Sequence, residues 1–212
     1  IKKSAKVQGR YKKQSGGHGQ FGDVIMQFEP SGDLDHPYVF EEQVFGGSVP
    51  KNYFPAVEKG VQEGCEKGPL AGYPVVGVKA ILLDGSYHPV DSSDMAFKTA
   101  SNMAFKDAFM KCQPILLEPI ASIKVTVPDA NTGDIMGDMT KRRGRVLGME
   151  SIGHGKQVIQ AEVPMSNLYG YGTDLRSMTG GTGDYEYSFA RYEQGPGDVQ
   201  NQIVEENAAQ GN

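Results

Sequence analysis

The 212-residue sequence has only two cysteines, Cys65 and Cys112, and they form no C-x-x-C pair. This excludes a disulfide framework and predicts a reducing, cytoplasmic location. No apolar run approaches 18 residues, so we expect no membrane-spanning helix and no membrane partner. No basic segment followed by an apolar one opens the chain as a secretory signal would. Because the first residue is Ile1 rather than Met, we expect a processed product or an excised fragment.

Motifs for common enzyme chemistry are also lacking. The phosphate-binding pattern G-x-x-x-x-G-K-[ST] does not occur. The four histidines are His18, His36, His88 and His154. Their spacing is not typical of a metal site. Ser86, His88 and Asp91 are neighbours in one loop, but a catalytic triad is a spatial arrangement, so this adjacency is a weak indication. We therefore expect no catalytic residue and no metal in this chain.

One glycine motif does suggest a nucleotide. The pattern G-x-G-x-x-G-x-V occurs at Gly17, Gly19, Gly22 and Val24. A kinase loop of this type requires a lysine on the following strand, yet residues 39–45 are VFEEQVF. A dinucleotide fold requires a helix at the third glycine, yet residues 23–28 are typical of a strand. We interpret the motif as the end of a hairpin, with a kinase-like nucleotide-binding domain as the alternative.

Positive charge is concentrated in two places. Charged residues make up 22% of the chain and hydrophobic residues 38%, which is typical of a globular protein. The net charge is −5, but residues 1–22 contain six basic residues and no acidic one, so the remainder carries −11. A second basic cluster comprises Lys141, Arg142, Arg143 and Arg145. Such clusters on an acidic body suit local contact with phosphate-rich partners; the alternative is an ordinary solvated surface.

Hydrophobic periodicity predicts the order βββαβα in the first half. The predicted strands are 5–13, 23–29, 38–45 and 73–85, and the predicted helices are 49–68 and a longer one ending before Pro114. Ser92 or Ser93 is the expected cap of the second helix. Its predicted buried face comprises Ala96, Ala100, Met103 and Ala104.

The second half predicts the order βαββαβ, which is that of a ferredoxin-like domain. Its predicted elements are strands 121–128, 145–151, 156–164 and 184–193, with helices in 131–144 and 165–181. Thr132 and Ser166 are the expected helix caps, Ile135 and Met139 point inward, and Gly144 closes the first helix. The fold class is therefore α+β. The expected divisions are a domain of residues 1–116, a second of 117–194, and a helix or tail of 195–212.

Two polar loops of the first domain are candidates for RNA contact. Ser15–Gln20 has no bulky apolar group and follows the basic strand, so it can approach another backbone closely. Gly85–Ser93 offers an aromatic ring, an imidazole, hydroxyls and a helix N-terminus, which suit unpaired bases and anions. If the loops share one end of the domain, they form an RNA-binding tip. The alternative is two unrelated surface loops.

Longer stretches carry a specific resemblance. QSGGHGQFGDV, GGSVPKNYFPAVEKGVQEG, DGSYHPVDSSDMAFK, TGDIMGDMTKRRGRVLGME and NLYGYGTDLRSMTGG closely resemble the C-terminal part of bacterial elongation factor G, in that family's order. The resemblance covers about residues 4–194. It implies a domain IV with a left-handed crossover, like the second domain of a small-subunit ribosomal protein, and a ferredoxin-like domain V. It also implies that the terminal helix packs on domain IV.

The resemblance implies a role on the ribosome. This family promotes tRNA–mRNA translocation, and its GTP and Mg²⁺ are bound by a domain that would lie upstream of Ile1. This chain is therefore expected to be a non-enzymatic, monomeric portion without a cofactor. Its expected partners are rRNA, the tRNA–mRNA complex and the ribosomal proteins of the stalk base.

The resemblance also implies which residues bind. The expected tip contacts are Ser15, Gly16, Gly17, His18, Gly19, Gln20, Phe21, Tyr87, His88, Asp91 and Ser92. The expected large-subunit rRNA contacts of domain V are Asn167, Leu168, Tyr169, Gly170 and Tyr171. The cluster from Lys141 to Arg145 is a further candidate for RNA contact.

Two departures from the family pattern suggest a paralogous branch. His18 stands where the main branch usually has arginine, and residues 181–198 differ from the usual ending. A paralog acting in ribosome recycling or ribosomal protection is therefore an alternative. Histidine is largely neutral at pH 7, so this tip carries less charge than an arginine tip.

Overall fold

Eight strands form two separate four-stranded sheets in the computed structural model, which describes residues 1–211. The first unit comprises Ile1–Ile115 together with the chain from Gly197 onward, and the second comprises Leu116–Pro196. Each unit has its own hydrophobic cluster. The predicted two-domain α+β class is confirmed.

The first unit has the predicted order βββαβα. Its elements are β1 (Ala5–Ser15), β2 (His18–Pro30), β3 (Tyr38–Glu42), α1 (Phe54–Glu66), β4 (Val78–Ser86) and α2 (Asp94–Lys111). The sheet order is β1-β2-β4-β3, in which β3 and β4 are parallel and the other pairs are antiparallel. Both helices cover one face of this sheet, and their buried residues belong to the hydrophobic cluster of the first unit.

Helix α2 begins where the sequence predicts, because the Ser93 hydroxyl accepts a hydrogen bond from the Ala96 N–H at 3.1 Å. Its predicted buried face is wrong in one residue, since Met103 is 44% exposed. Buried residues recur here as adjacent pairs four residues apart, such as Ala96–Phe97 and Ala104–Phe105. The buried face is centred on these pairs, and Met103 lies outside it.

The hairpin of β1 and β2 is longer than the sequence predicts. The strands continue to Ser15 and restart at His18, which pair directly across the turn. Gly16 and Gly17 have φ values of 56° and 121°, so the two glycines complete a two-residue turn that other residues rarely adopt. His18–Phe21, expected to lie in a loop, therefore belong to β2.

Two other strands are shorter than predicted. β3 ends at Glu42 rather than at residue 45, and β4 begins at Val78 rather than at residue 73. Gly77 directly precedes β4 with a φ of 77°, which interrupts the extended backbone.

The second unit has the predicted order βαββαβ. Its elements are β5 (Leu117–Pro128), α3 (Thr132–Lys141), β6 (Arg145–Gly153), β7 (Lys156–Pro164), α4 (Tyr171–Thr179) and β8 (Asp184–Gln194). The sheet order is β6-β7-β5-β8, with antiparallel pairs throughout. Ile135 and Met139 are fully buried, as predicted. The Gly195 N–H donates to the Leu116 carbonyl at 3.1 Å, so the two ends of this unit meet.

The predicted helix ends of the second unit are wrong. Thr132 lies inside α3, and its hydroxyl donates to the Asp129 carbonyl at 2.9 Å because a short 3-10 turn precedes the helix. Arg143, with a φ of 60°, takes the left-handed position expected of Gly144. Ser166 lies in another 3-10 turn, and α4 starts only after Gly170, whose φ is 70°.

A terminal helix, α5 (Gly197–Ala209), groups with the first unit. Its Ile203 and Asn207 line a shallow cleft together with Lys67 and Tyr73 from the segment after α1. Asn212, the last residue of the expected tail, lies outside the described residues. Among the described helices, none is both long enough and apolar enough to cross a membrane.

Candidate nucleic-acid interface

The two candidate loops of the first unit lie together and are directly bonded. The Phe21 N–H donates to the Asp91 carbonyl at 2.9 Å, and the Ser92 hydroxyl donates to the Phe21 carbonyl at 2.8 Å. The β1–β2 turn and the segment after β4 therefore form one tip, which we define as residues 15–21 and 87–92.

The second loop of the tip is held by its own hydrogen bonds. The Ser92 hydroxyl accepts from the His88 N–H at 2.9 Å, and the Ser92 N–H donates to the His88 carbonyl at 3.1 Å. The His88 ring nitrogen Nδ1 accepts from the N–H groups of Val90 and Asp91 at 3.2 and 3.1 Å. These bonds assign the proton of the neutral ring to Nε2, which leaves an N–H donor for a partner.

The glycines of the G-x-G-x-x-G motif have separate packing reasons. Gly17 lies in the turn, as described above. A Cβ on Gly19 would lie 2.7 Å from Asp91 Oδ2, and a Cβ on Gly22 would lie 2.5 Å from the Ala96 carbonyl oxygen. Because contacts this short force a neighbour to shift, both positions favour glycine for close approach to the second loop and to α2. The motif is thus explained by packing without a nucleotide.

Exposure divides the expected tip residues into two groups. The exposed group comprises Ser15, Gly16, Gly17, His18, Tyr87 and His88. The partly buried group comprises Gly19, Gln20, Phe21, Asp91 and Ser92. In the second group, Phe21, Asp91 and Ser92 join the two loops. The exposed group is the surface that a partner can reach.

Sequence reasoning missed Asp23, a buried residue of β2 that bonds the start of the second tip loop. This residue is 9% exposed, and its carboxylate accepts hydrogen bonds from Gln8 Nε2 at 2.8 Å and from the Ser86 hydroxyl at 2.7 Å. The bond to Ser86 fixes the start of the second loop against β2. The available signal was an acidic residue within a strand of otherwise apolar character.

In the second unit, the expected rRNA-contacting segment presents one prominent side chain. Tyr169 is 95% exposed, whereas Leu168 packs against the core. Tyr171 is 1% exposed and meets Tyr185 edge to face at 5.0 Å, and burial raises the pKa of its hydroxyl. The expected rRNA contact of the segment from Asn167 to Tyr171 stays a prediction, but the Tyr171 ring lies in the core and is not available to a partner.

Arg142 is not a free cation either. Its guanidinium donates to Asp138 Oδ2 at 2.8 Å, to the Asn167 carbonyl at 2.8 Å and to Asp174, and it stands 4.9 Å from the Tyr171 ring centre. Burial alone would lower the pKa of Arg142, but the hydrogen bonds and charges of its two aspartates raise it. Arg142 joins the end of α3 to the segment that presents Tyr169.

The other two arginines of this cluster are also paired. Arg143 donates two hydrogen bonds to the Glu118 carboxylate at 2.9 and 2.8 Å, and Arg145 donates to Glu162 at 2.8 Å. Both arginines are thus paired with carboxylates distant in sequence, and RNA contact by this cluster stays a prediction. Lys141 is exposed.

Comparison with known proteins matches nearly the whole chain. The family model "Elongation factor G, domain IV" matches residues 1–113, and the model "Elongation factor G C-terminus" matches residues 115–203. A crystal structure of a protein from Thermus thermophilus is similar, with 46% sequence identity and a TM-score of 0.86. The match covers 99% of this chain and 31% of that protein, so this chain spans about a third of its length.

Proposed function

The chain belongs to the elongation factor G family, and on this premise we propose that it is the ribosome-binding portion of a factor that promotes tRNA–mRNA translocation. The observation that carries this proposal is the bonding of the two tip loops through Phe21 to Asp91 and Ser92. These bonds make one polar surface from two segments that are 66 residues or more apart in the sequence.

The tip is suited to a codon–anticodon duplex. Gly16 and Gly17 leave open space around the turn, so the backbone itself can approach an RNA strand. Tyr87 can stack on a base, and the His88 ring can donate to a base edge or a 2′-hydroxyl. In our proposal the tip enters the A site on the small subunit and prevents the tRNA–mRNA complex from slipping back.

The second unit would contact large-subunit rRNA and the stalk-base proteins. Tyr169 is the side chain best placed for stacking on an unpaired base, because it is almost fully exposed. Arg142 positions it by bonding the Asn167 carbonyl. GTP hydrolysis, with its Mg²⁺, would take place in another domain of the longer protein, and this chain would supply contacts rather than chemistry.

Directed hydroxyl-radical probing from single cysteines tests both contacts. Cys65 and Cys112 are buried, and burial raises the pKa of the Cys65 thiol to about 12. An introduced surface cysteine will therefore react selectively. Ser15→Cys places the iron probe on the tip, and Ser166→Cys places it beside Tyr169.

On ribosomes carrying mRNA and tRNA, we expect cleavage of decoding-region RNA from the first position and of large-subunit RNA from the second. Met110→Cys is the matched control, because Met110 is exposed near the end of α2, about 25 Å along the helix from Ser93 beside the tip. Equal cleavage of decoding-region RNA from Met110→Cys and Ser15→Cys would contradict the proposed tip contact.

A further inference from the structure

We propose that the exposed face of β1 is a track for the phosphates of one RNA strand, formed by Lys6, Arg10 and Lys12. This inference rests on the proposed function and extends the binding surface from the tip along the sheet. We call these three residues the β1 track.

The alternation of β1 places the three cations on one face. Lys6, Arg10 and Lys12 are exposed, whereas Val7 and Gly9 between them are buried toward α2. Successive residues on one face of a strand are about 7 Å apart. This spacing is comparable with that between neighbouring phosphates of one RNA strand, so each cation can meet a different phosphate.

The cations of the β1 track are available to a partner. Across residues 1–211, no ion pair involves Lys6, Arg10 or Lys12. Gln8 lies between them and donates to the buried Asp23. Asp84 is an exposed acid whose pKa is lowered first by hydrogen bonds from Ser48 and Gly85 and also by the charge of Lys6, with which it forms no ion pair. β1 is also an edge strand, and a long partner can lie beside it without obstruction from another strand.

Arg10 connects the track to the tip. Its guanidinium stands 5.6 Å from the centre of the Phe21 ring. The backbone of the same Phe21 bonds both Asp91 and Ser92 of the second tip loop. The two surfaces are therefore continuous, and an RNA strand that leaves the tip meets Lys12, which pairs with Phe21 across the hairpin, and then Arg10.

The opposite edge of the sheet has a different charge. The last two residues of β3 at that edge, Glu41 and Glu42, are acidic, and Glu41 lies 3.3 Å from Lys79 of the neighbouring strand β4. A polyanion is consequently favoured along β1 and disfavoured along β3. An acidic protein surface would meet the same cations, but the continuity with Tyr87 and His88, which suit bases, favours RNA.

The test is a triple variant, Lys6→Gln with Arg10→Gln and Lys12→Gln, measured for binding to ribosomes carrying mRNA and tRNA between about 50 and 200 mM salt. Removing one phosphate contact lowers the slope of log affinity against log salt by about 0.7, so we expect a decrease of about 2. The matched control carries Lys59→Gln, Lys67→Gln and Lys106→Gln, the same charge change at exposed lysines on or next to the helices. Equal slopes for the two variants would overturn the track.

Two further measurements separate this inference from the proposed function. A tip variant, Tyr87→Ala with His88→Ala, is expected to weaken ribosome binding. If only the tip variant weakens ribosome binding, the track is wrong and the proposed function stands; if neither variant weakens it, both are wrong.

A protein-free RNA duplex is the second probe. Weaker binding of the track variant to ribosomes but not to this duplex would assign the track to an acidic protein and overturn the RNA proposal.

Discussion

The two basic clusters of this chain have different surroundings. In the first unit, Lys6, Arg10 and Lys12 extend into solvent from one face of an edge strand. In the second unit, Arg142 and its neighbours are bonded to carboxylates of the same unit. The sequence presents both as short runs of positive charge, yet the three arginines of the second are bonded to carboxylates.

This difference follows from where the acidic residues lie. Arg143 and Arg145 meet Glu118 and Glu162, which come from other strands of the same sheet. The residues that precede Gly22 include no acid, and Asp23, which bonds Gln8 of β1, is buried. A basic cluster therefore indicates a binding surface only when the fold brings no carboxylate to it.

The largest expected effect comes from removing the Arg142 guanidinium, which bonds Asp138, Asp174 and the Asn167 carbonyl. Arg142→Met leaves Asp138, Asp174 and the Asn167 carbonyl without their donor, so we expect the free energy of unfolding of the second unit to fall by about 2–3 kcal/mol. Hydrogen exchange distinguishes opening of this unit from opening of the first. Lys141→Met, at an exposed neighbouring position, is the control with an expected change below about 0.5 kcal/mol. Similar losses of stability in both variants would contradict this stabilising role of Arg142.

A smaller effect is expected at the tip, where hydrogen bonds and the close approach of Gly19 to Asp91 join the two loops. In Gly19→Ala the new methyl group displaces the Asp91 carboxylate, and we expect a loss of about 1 kcal/mol in stability together with weaker ribosome binding. Combining it with Asp91→Ala should restore much of the stability, because the displaced group is then absent. A double variant no more stable than Gly19→Ala alone would show that the strain lies elsewhere.

The next prediction adds charge to the tip. His18→Arg should steepen the salt dependence of ribosome binding by about 0.7, the value for one added phosphate contact on a single strand. Affinities measured across a salt series for the parent and variant chains give this slope. Identical slopes would show that residue 18 does not face a phosphate.

The smallest effect concerns the paired carboxylates of the second unit. Hydrogen bonds from Arg191 and then Arg145 lower the pKa of Glu162. Its stabilising contribution is therefore present above the ordinary glutamate pKa of about 4.3 and disappears as the pH falls through the lowered value. Unfolding measured from about pH 7 to pH 3 should show Glu162→Gln less stable at neutral pH, with the difference disappearing in acid. A constant difference would exclude this titration.

Much of the fold could be predicted because periodicity is local. The alternation of β2 and the stripe of Ile135 and Met139 fix which faces are buried, and Ser93 marks the start of α2. Tertiary context decided the rest. The hairpin extends to Ser15 because Gly16 and Gly17 form the turn by themselves, and Met103 is exposed because adjacent pairs set the buried face.

The candidate site was predictable in position but not in detail. The two tip loops were evident from composition, whereas their bonding through Phe21 depends on the register of β2 against β4. The burial of Tyr171 and the pairing of Arg142 require knowledge of the packing of α3 and α4. No local pattern in residues 141–145 distinguishes a bonded arginine from a free one.

The hydrogen bond between Gly195 and Leu116 has a consequence for engineering. Since the start and the end of the second unit lie side by side, the unit is a portable module that can be removed without stretching the chain. A short linker from Ile115 to Gly197 would retain α5 on the same polypeptide as the tip. Transplanting the module between paralogs would then separate the specificity of the tip from that of the Tyr169 loop.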